Sequence, residues 1–295
     1  GVAAPGVVPP WHDAGMGDRE PTEGMPRDLL LVRHGHSEGN FAMEVDKRVK
    51  QEGGENRYRT PEYAERDPSD WRLTERGRGQ ADAAGEWIRG WMQAEGVESF
   101  DRHYCSPYAR TRETAARLAI PDAGWQLDPL LRERDWGNWS GLDKDEQAEQ
   151  FPYSTAQKQR NKFLWRPECG ESTPDVDLRV RAVLATLARE MPGQRVVCVT
   201  HEDTMWAFRF RLEKLTIQQW LDQDDEGHHA IVNCGILHYT RVDGDGVEHP
   251  KFARVRLVDP TKPETSDRWW PIVRPRFTAD ELLAQLDHLP PLWSD

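Results

Sequence analysis

The feature that most constrains this chain is the run Leu29-Leu30-Leu31-Val32, followed at once by Arg33-His34-Gly35-His36-Ser37-Glu38-Gly39-Asn40. Four consecutive aliphatic residues do not alternate with polar ones, so they predict a strand buried on both faces rather than one with a wet side. Such strands belong to parallel sheets flanked by helices, and in open sheets of that kind ligands bind at the carboxyl ends of the strands. The polar residues begin where this strand should end. Arg33 supplies a fixed charge with a planar donor fork, His34 an imidazole able to act as nucleophile, and Gly35 is expected to let the backbone come close to a ligand.

The rest of the chain alternates in the same style. Helix periodicity or capping signals predict helices over 38–48, 74–93, 107–118, 173–190 and 202–214, a shorter one after Thr216, and one or two over 141–167. Thr74, Thr173 and Thr278 are the expected N-caps, with Pro107 and Pro174 at first helical positions. Strands are expected over 28–33, 101–105, 125–127, 130–133, 195–200, 231–241 and 252–257. This order predicts a three-layer α/β/α sandwich with a mostly parallel central sheet. Residues 1–26, rich in proline and glycine, read as a flexible arm, and 259–295 as a C-terminal extension packing on the domain of 27–258. The polar stretch 51–71 reads either as a lid over the first strand's end or as a disordered insertion. Insertions of lid or cap type are placed at about 41–71 and 142–168. The basic group Lys158, Arg160, Lys162 and Arg166 reads as a solvated face, or as a cap reaching toward an anion. The late tryptophans read as core or edge packing, and His228-His229 as a polar turn.

Composition removes several classes of function. The net charge of −12 over 295 residues argues against general affinity for nucleic acid or anionic membrane. An anionic substrate would then need positive charge gathered locally. No apolar run approaches the ~20 residues of a membrane span, and the first residues lack the basic and apolar regions of a signal peptide. Cys105, Cys169, Cys198 and Cys234 are scattered without metal-site spacing, which predicts free thiols and a cytoplasmic protein.

Two predicted strands end in histidine, at Val32-Arg33-His34 and Val199-Thr200-His201. A third ends at Cys105-Ser106-Pro107, just before a helix whose first turn carries Arg110, and Glu133 follows a fourth extended piece. As parallel neighbours these segments would bring Arg33, His34, Arg110, Glu133 and His201 to one edge. Two guanidiniums and a second histidine suit the non-bridging oxygens of a phosphate monoester. A neutral imidazole could attack phosphorus, and a carboxyl held protonated could serve the leaving oxygen. His34 and His36 also make a His-x-His spacing open to a metal, but Arg33, between this pair and the bulk of the protein, would oppose a cation, and no Asp or Cys partner lies nearby.

These residues fall in an ordered set of motifs. Arg33-His34-Gly35 with Ser37 and Asn40 reads RHGxSxxN, and Leu73-Thr74 to Gln80-Ala81 reads LTxxGxxQA. Ser106 to Ala115 reads SxxxRTxxTA, Leu131 to Trp139 reads LxExxxGxW, Gly170-Glu171-Ser172 opens a further segment, and Val199-Thr200-His201 closes the set. The sequence resembles the histidine phosphatase superfamily, which includes the cofactor-dependent phosphoglycerate mutases. The resemblance implies a phosphoglycerate mutase-like fold and a phosphohistidine formed on His34. It implies a phosphate pocket of Arg33, Arg110 and His201, a proton donor in Glu133, and substrate contacts from Ser37 and Asn40. The implied activity is that of a phosphatase on a small phosphorylated metabolite, with no metal or other cofactor. A phosphomutase and a non-catalytic anion-binding member are the alternatives, and oligomeric state is left open. Two positions depart from the family pattern: His36 stands where the mutases often carry Glu, and Glu202 where Gly usually follows the second histidine. Glu202 is expected either to face the pocket and repel a dianion, or to lie on the first turn of the next helix, where negative charge is favoured.

Overall fold

The structure is a computed structural model that describes residues 24–52, 58–225, 231–287, 289 and 291–293. Residues 1–23 of the expected arm and the His228-His229 turn lie outside the described residues. The chain begins with β1 (Asp28–Arg33), α1 (Glu38–Glu52), α2 (Pro61–Glu65) and α3 (Glu75–Ala94), then β2 (Arg102–Cys105), α4 (Ala109–Arg117) and β3 (Trp125–Leu127). It continues through α5 (Lys144–Gln150), α6 (Pro152–Arg160), α7 (Thr173–Glu190), β4 (Arg195–Thr200), α8 (Glu202–Glu213) and α9 (Ile217–Asp225). The last elements are β5 (Ile236–Thr240), β6 (Arg254–Val258), α10 (Pro263–Ser266), β7 (Arg268–Pro271) and α11 (Ala279–Ala284).

The strands form one sheet in the order β3-β2-β4-β1-β5-β6-β7. β3, β2, β4 and β1 run parallel, β5 is antiparallel to β1, and β6 and β7 reverse in turn. The aliphatic run explains why β1 sits near the centre. Leu29 and Leu31 point to one face, where they join Val196, Cys198, Leu237 and the inner sides of α7 and α8. Leu30 and Val32 point to the other, with Val197, Val199, Ile236 and the Ala81, Ala84 and Ile88 stripe of α3. All four side chains are fully buried, each worth roughly 1.5–3 kcal/mol relative to exposure. The sheet therefore lies between two helical layers, with a separate apolar core on each side.

Local chemistry moves several expected boundaries. The helix expected from Pro107 starts at Ala109, because Ser106 and Pro107 form the turn ahead of it and Tyr108 takes the cap position. The piece expected as a strand over 130–133 begins instead as a 3-10 turn, Pro129–Leu131, with the Asp128 carboxylate accepting from the Leu130 N–H. Ser172, not Thr173, caps α7, through a reciprocal pair with Asp175. That places Pro174 at the second helical position. The strands expected over 231–241 and 252–257 are shorter, and α1 runs on to Glu52. Within 58–71 the chain makes α2, capped by Thr60, and a 3-10 turn, Pro68–Asp70. β7 adds an edge strand from beyond residue 258. All four cysteines are free. Among the described residues no helix is long and apolar enough to cross a membrane.

Candidate active site

β1 and β4 are adjacent and in register, Arg33 opposite Thr200, so their ends deliver His34 and His201 side by side. The ring centroids lie 5.1 Å apart and both rings are buried. β2 pairs with the other edge of β4, and the turn after it leads into α4 and Arg110. Arg110 Nε donates to His34 Nε2 at 3.2 Å. The Glu133 Oε2 lies 3.9 Å from His201 Nδ1. The structure thus gathers His34, His201, Arg110 and Glu133 in one place, with Arg33 beside them.

The orientation of His34 is determined. Its Nδ1 lies 2.8 Å from the Gly35 carbonyl oxygen, which can only accept, so Nδ1 carries the proton and the Nε2 lone pair faces Arg110. Burial, then the guanidiniums of Arg110 and Arg33, holds its pKa well below the ordinary histidine value. His201 is held neutral in the same way, by burial first and then by Arg110. Its Nε2 sits 2.8 Å from the Ser106 hydroxyl, and its buried Nδ1, 3.9 Å from Glu133, makes no hydrogen bond among the described residues. An orphaned buried nitrogen costs about 1–3 kcal/mol, a cost that a ligand oxygen would offset. Burial, reinforced by the Asp203 charge, pushes the Glu133 carboxyl up to about 7.

The arginines are tied to the protein at the same time. Arg110 Nη1 donates to the Pro68 carbonyl at 2.7 Å, from the segment between α1 and α3, and its guanidinium lies over the Tyr108 ring. Arg33 Nη1 donates to the Ile231 carbonyl at 2.5 Å, and Nη2 meets Glu202 Oε2 at 2.7 Å. Glu202 opens α8, as the second expectation had it, and its carboxylate pairs with Arg33.

Other sequence expectations need correction. Gly35 does not make room for a ligand. A Cβ there would lie 2.4 Å from the Gly77 carbonyl, and one on Gly77 would lie 2.0 Å from the His36 carbonyl, so the two glycines let the histidine turn pack against the start of α3. Ser37 and Asn40 satisfy each other: the Asn40 side-chain oxygen accepts from the Ser37 N–H and hydroxyl and from the Asn233 amide. Among the described residues that leaves the Asn40 NH2 without such a bond. His36 points to Thr74 and Glu44, so the His-x-His pair does not converge. His34, Glu133 and His201 do each offer an atom within 4.8 Å of the others. The two guanidiniums among them favour an anion over a cation. Lys158 is neither on a solvated face nor in contact with the cradle. Its ammonium lies 4.8–5.2 Å from the ring centroids of Trp136, Trp139 and Trp165, and burial lowers its pKa to about 8. Arg166 pairs with Asp175.

The sequence profile of the histidine phosphatase superfamily (branch 1) matches residues 29–240. The chain belongs to this superfamily. It is 35% identical over 202 residues to a 2,3-bisphosphoglycerate-dependent phosphoglycerate mutase of Methylobacterium radiotolerans, covering 66% of this chain and 83% of that one. Among solved structures it is similar to a mycobacterial glucosyl-3-phosphoglycerate phosphatase, with a TM-score of 0.53 and 24% identity over 78% of this chain and 97% of that one. It is also similar to a phosphoserine phosphatase of Entamoeba histolytica, with a TM-score of 0.53 and 20% identity over 72% and 90%. At these identities the two structures show a common fold, phosphoglycerate mutase-like.

The superfamily motifs also work away from the pocket, through residues that a search for chemistry passes over. Thr114 Oγ1 accepts from the Gly35 N–H and donates to the Arg110 carbonyl, joining the two cradle segments. Thr200, and Thr204 just past the last motif, donate to the carbonyls of Leu131 and Arg132, anchoring the residues just before Glu133. Glu171 of the Gly-Glu-Ser segment accepts from Arg132, Arg179 and the Asp135 N–H, bracing that loop from the far side. Threonine after a buried strand is a sequence signal for such bonds, but its partner is a distant carbonyl that the sequence does not name.

Proposed function

We propose that this superfamily member is a phosphatase acting on a small phosphorylated metabolite through a phosphohistidine on His34. The observation that carries the reading is the His34 Nδ1 bond to the Gly35 carbonyl, which leaves a neutral Nε2 lone pair at the arginine. On substrate binding Arg110 Nε leaves His34 Nε2 for a phosphoryl oxygen, and the freed Nε2 lone pair attacks phosphorus while Arg33, Arg110 and the His201 Nδ1–H hold the non-bridging oxygens, with the Ser106 hydroxyl donating to His201 Nε2. Glu133, half protonated near neutrality, gives its proton to the leaving oxygen, and the product departs as an alcohol. The Glu133 carboxylate then takes a proton from water, which attacks the phosphohistidine and releases phosphate. Ser37 and Asn40 keep the turn in place, the Asn40 NH2 reaching the substrate. The segments at about 41–71 and 142–168 act as lid and cap.

A second reading, a mutase that returns the phosphoryl group to the same substrate, is favoured by the mutase named among the relatives. The charge at the pocket weighs toward hydrolysis of a singly phosphorylated ester. Of its two arginines one is already matched by Glu202, which leaves little for a second phosphate. The test is a panel of phosphate esters assayed for phosphate release and for isomer interconversion, with a search for an acid-labile phosphoenzyme. Phosphate release from at least one ester, and loss of both turnover and phosphoenzyme in His34→Ala, is expected. Interconversion without phosphate release would install the mutase reading, and a fully active His34→Ala would remove both.

A further inference from the structure

We propose that Glu202 is a specificity-determining residue, making the cradle select phosphate esters that carry a positive charge beside the ester oxygen. The proposal rests on the phosphoryl-transfer reading above and names the substrate class for that site. Its basis is that a carboxylate of the protein already occupies one of the two guanidiniums assigned to the phosphoryl group. Glu202 Oε2 lies 2.7 Å from Arg33 Nη2. The other terminal nitrogen of Arg33 is held by the Ile231 carbonyl, and its Nε is buried with no partner. A phosphoryl oxygen that approaches this guanidinium therefore meets the carboxylate.

The groups around Glu202 do not supply a substitute for Arg33. The charges that act on it are Arg33 from β1, its helix neighbour Asp203, which repels it, and Lys162 from the segment after α6, the weakest of the three. His34 and His201 are held neutral by burial and by the arginines. A dianion entering this pocket finds Arg33 and Arg110 opposed by Glu202, so the complex gathers more negative than positive charge. Glu202 opens α8 with about two thirds of its side chain covered, so its carboxylate stays beside Arg33 when a phosphoryl group arrives. An ester whose leaving group is uncharged forces the carboxylate to take a proton or to remain as a like charge beside the phosphate. An ester whose leaving group bears an ammonium brings the missing counter-charge with it. The carboxylate then exchanges Arg33 for the substrate amine while Arg33 turns to phosphate. Charge-assisted pairs of this kind are worth more in a partly desolvated site than at a free surface.

The probes are inorganic phosphate, 2-aminoethyl phosphate and 2-hydroxyethyl phosphate, the last two alike in size and differing in the amine. Their binding to the full chain and to Glu202→Gln, both carrying His34→Ala so that neither ester is turned over, is measured by calorimetry, with thermal melts checking that the variants are folded. The full chain should bind the amine ester about tenfold tighter than the hydroxyl ester. In Glu202→Gln that gap should close, mainly because the hydroxyl ester and inorganic phosphate bind more tightly. Glu202→Asp, which keeps the charge, should keep part of the gap. Equal preference in the full chain and Glu202→Gln would overturn the proposal while leaving the phosphoryl site standing. So would a uniform loss of affinity for all three probes in Glu202→Gln, which would make Glu202 a support for Arg33. Failure of every probe to bind either protein would remove the phosphoryl reading itself, and this proposal with it.

Discussion

At the scale of single residues, burial sets the protonation states, and their pH dependence follows with a definite sign. Glu133 is raised from the ordinary carboxylate range to about 7, so it is an acid below that pH and a base above it. Hydrolysis of an alkyl phosphate should fall above pH ~7 as the donor loses its proton, by up to about tenfold per unit. Glu133→Gln should lose that limb and about 10²–10⁴ in rate. For p-nitrophenyl phosphate, whose leaving oxygen needs no proton, the loss in the rate of phosphoenzyme formation, read in a single turnover, should be much smaller, while phosphoenzyme breakdown slows alike for either ester because it needs the carboxylate as base. The same loss of formation rate for both esters would show that Glu133 is not the donor. Stability follows the opposite logic for the two kinds of group. A raised carboxyl adds stability that is present below the unfolded value and lost as pH rises toward 7, so Glu133→Gln should melt higher than the unaltered chain at pH 8. His34 and His201 have lowered values, so their contribution is present above the unfolded histidine value near 6.5 and is lost as pH falls below it. Melting temperatures across pH 5–8 check both signs.

At the scale of elements, the pocket is held by contacts between pieces far apart in sequence, and these are its most sensitive points. Gly77→Ala would put a methyl 2.0 Å from the His36 carbonyl, so α3 and the histidine turn must separate. A cost of about 1–3 kcal/mol and a large loss of turnover are expected. The methyl cannot fit without moving backbone, so an unaltered melt and rate would contradict the packing. Thr204→Val removes the bond to the Arg132 carbonyl but leaves Glu133 in place. Stability should fall by about 1 kcal/mol, and kcat should drop while KM stays near its original value, since a positioning bond is lost rather than a substrate contact. How far such features are legible in the sequence depends on their range. β1 and β4 are legible because uninterrupted aliphatic runs have one economical use, and the histidines follow because each ends such a run. Ser106, Arg110 and Glu133 are placed by motif spacing. The Gly35–Gly77 contact, the Pro68 carbonyl on Arg110 and the Thr204 bond are not legible, because each joins a residue to a backbone atom with no sequence identity. The Glu202–Arg33 pair is half legible: a carboxylate at a helix start is visible, but the direction of its side chain depends on the strand beside it.

At the scale of the molecule, two cores on opposite faces of one sheet let stability and catalysis be separated. The helix that begins at His201 ends in a buried polar cluster. Arg209 pairs with Glu213 through two nitrogens, at 2.9 and 3.2 Å, and Tyr239 of β5 donates to the same carboxylate at 2.9 Å. Arg209 is 2% exposed, and its guanidinium also lies over Trp206. Glu213 stands about 18 Å along the helix from His201 by the rise per residue, too far to touch the cradle. Removing one member of such a pair leaves a charge buried without its partner, which costs about 3–5 kcal/mol. Removing both in favour of apolar groups of like volume is often close to neutral. Glu213→Leu should therefore lower the melting temperature by on the order of 10 °C, while kcat and KM measured well below the transition stay within about twofold. Arg209→Met combined with Glu213→Leu and Tyr239→Phe should recover most of the lost stability, because no polar group of the cluster is then stranded. The contrast between single and triple variants is the decisive measurement. A triple variant that melts as low as the single one would mean that packing rather than the stranded charge sets the cost. A fall in kcat without a fall in melting temperature would mean that α8 transmits strain from its far end to His201, so that fold and chemistry share this helix rather than divide it.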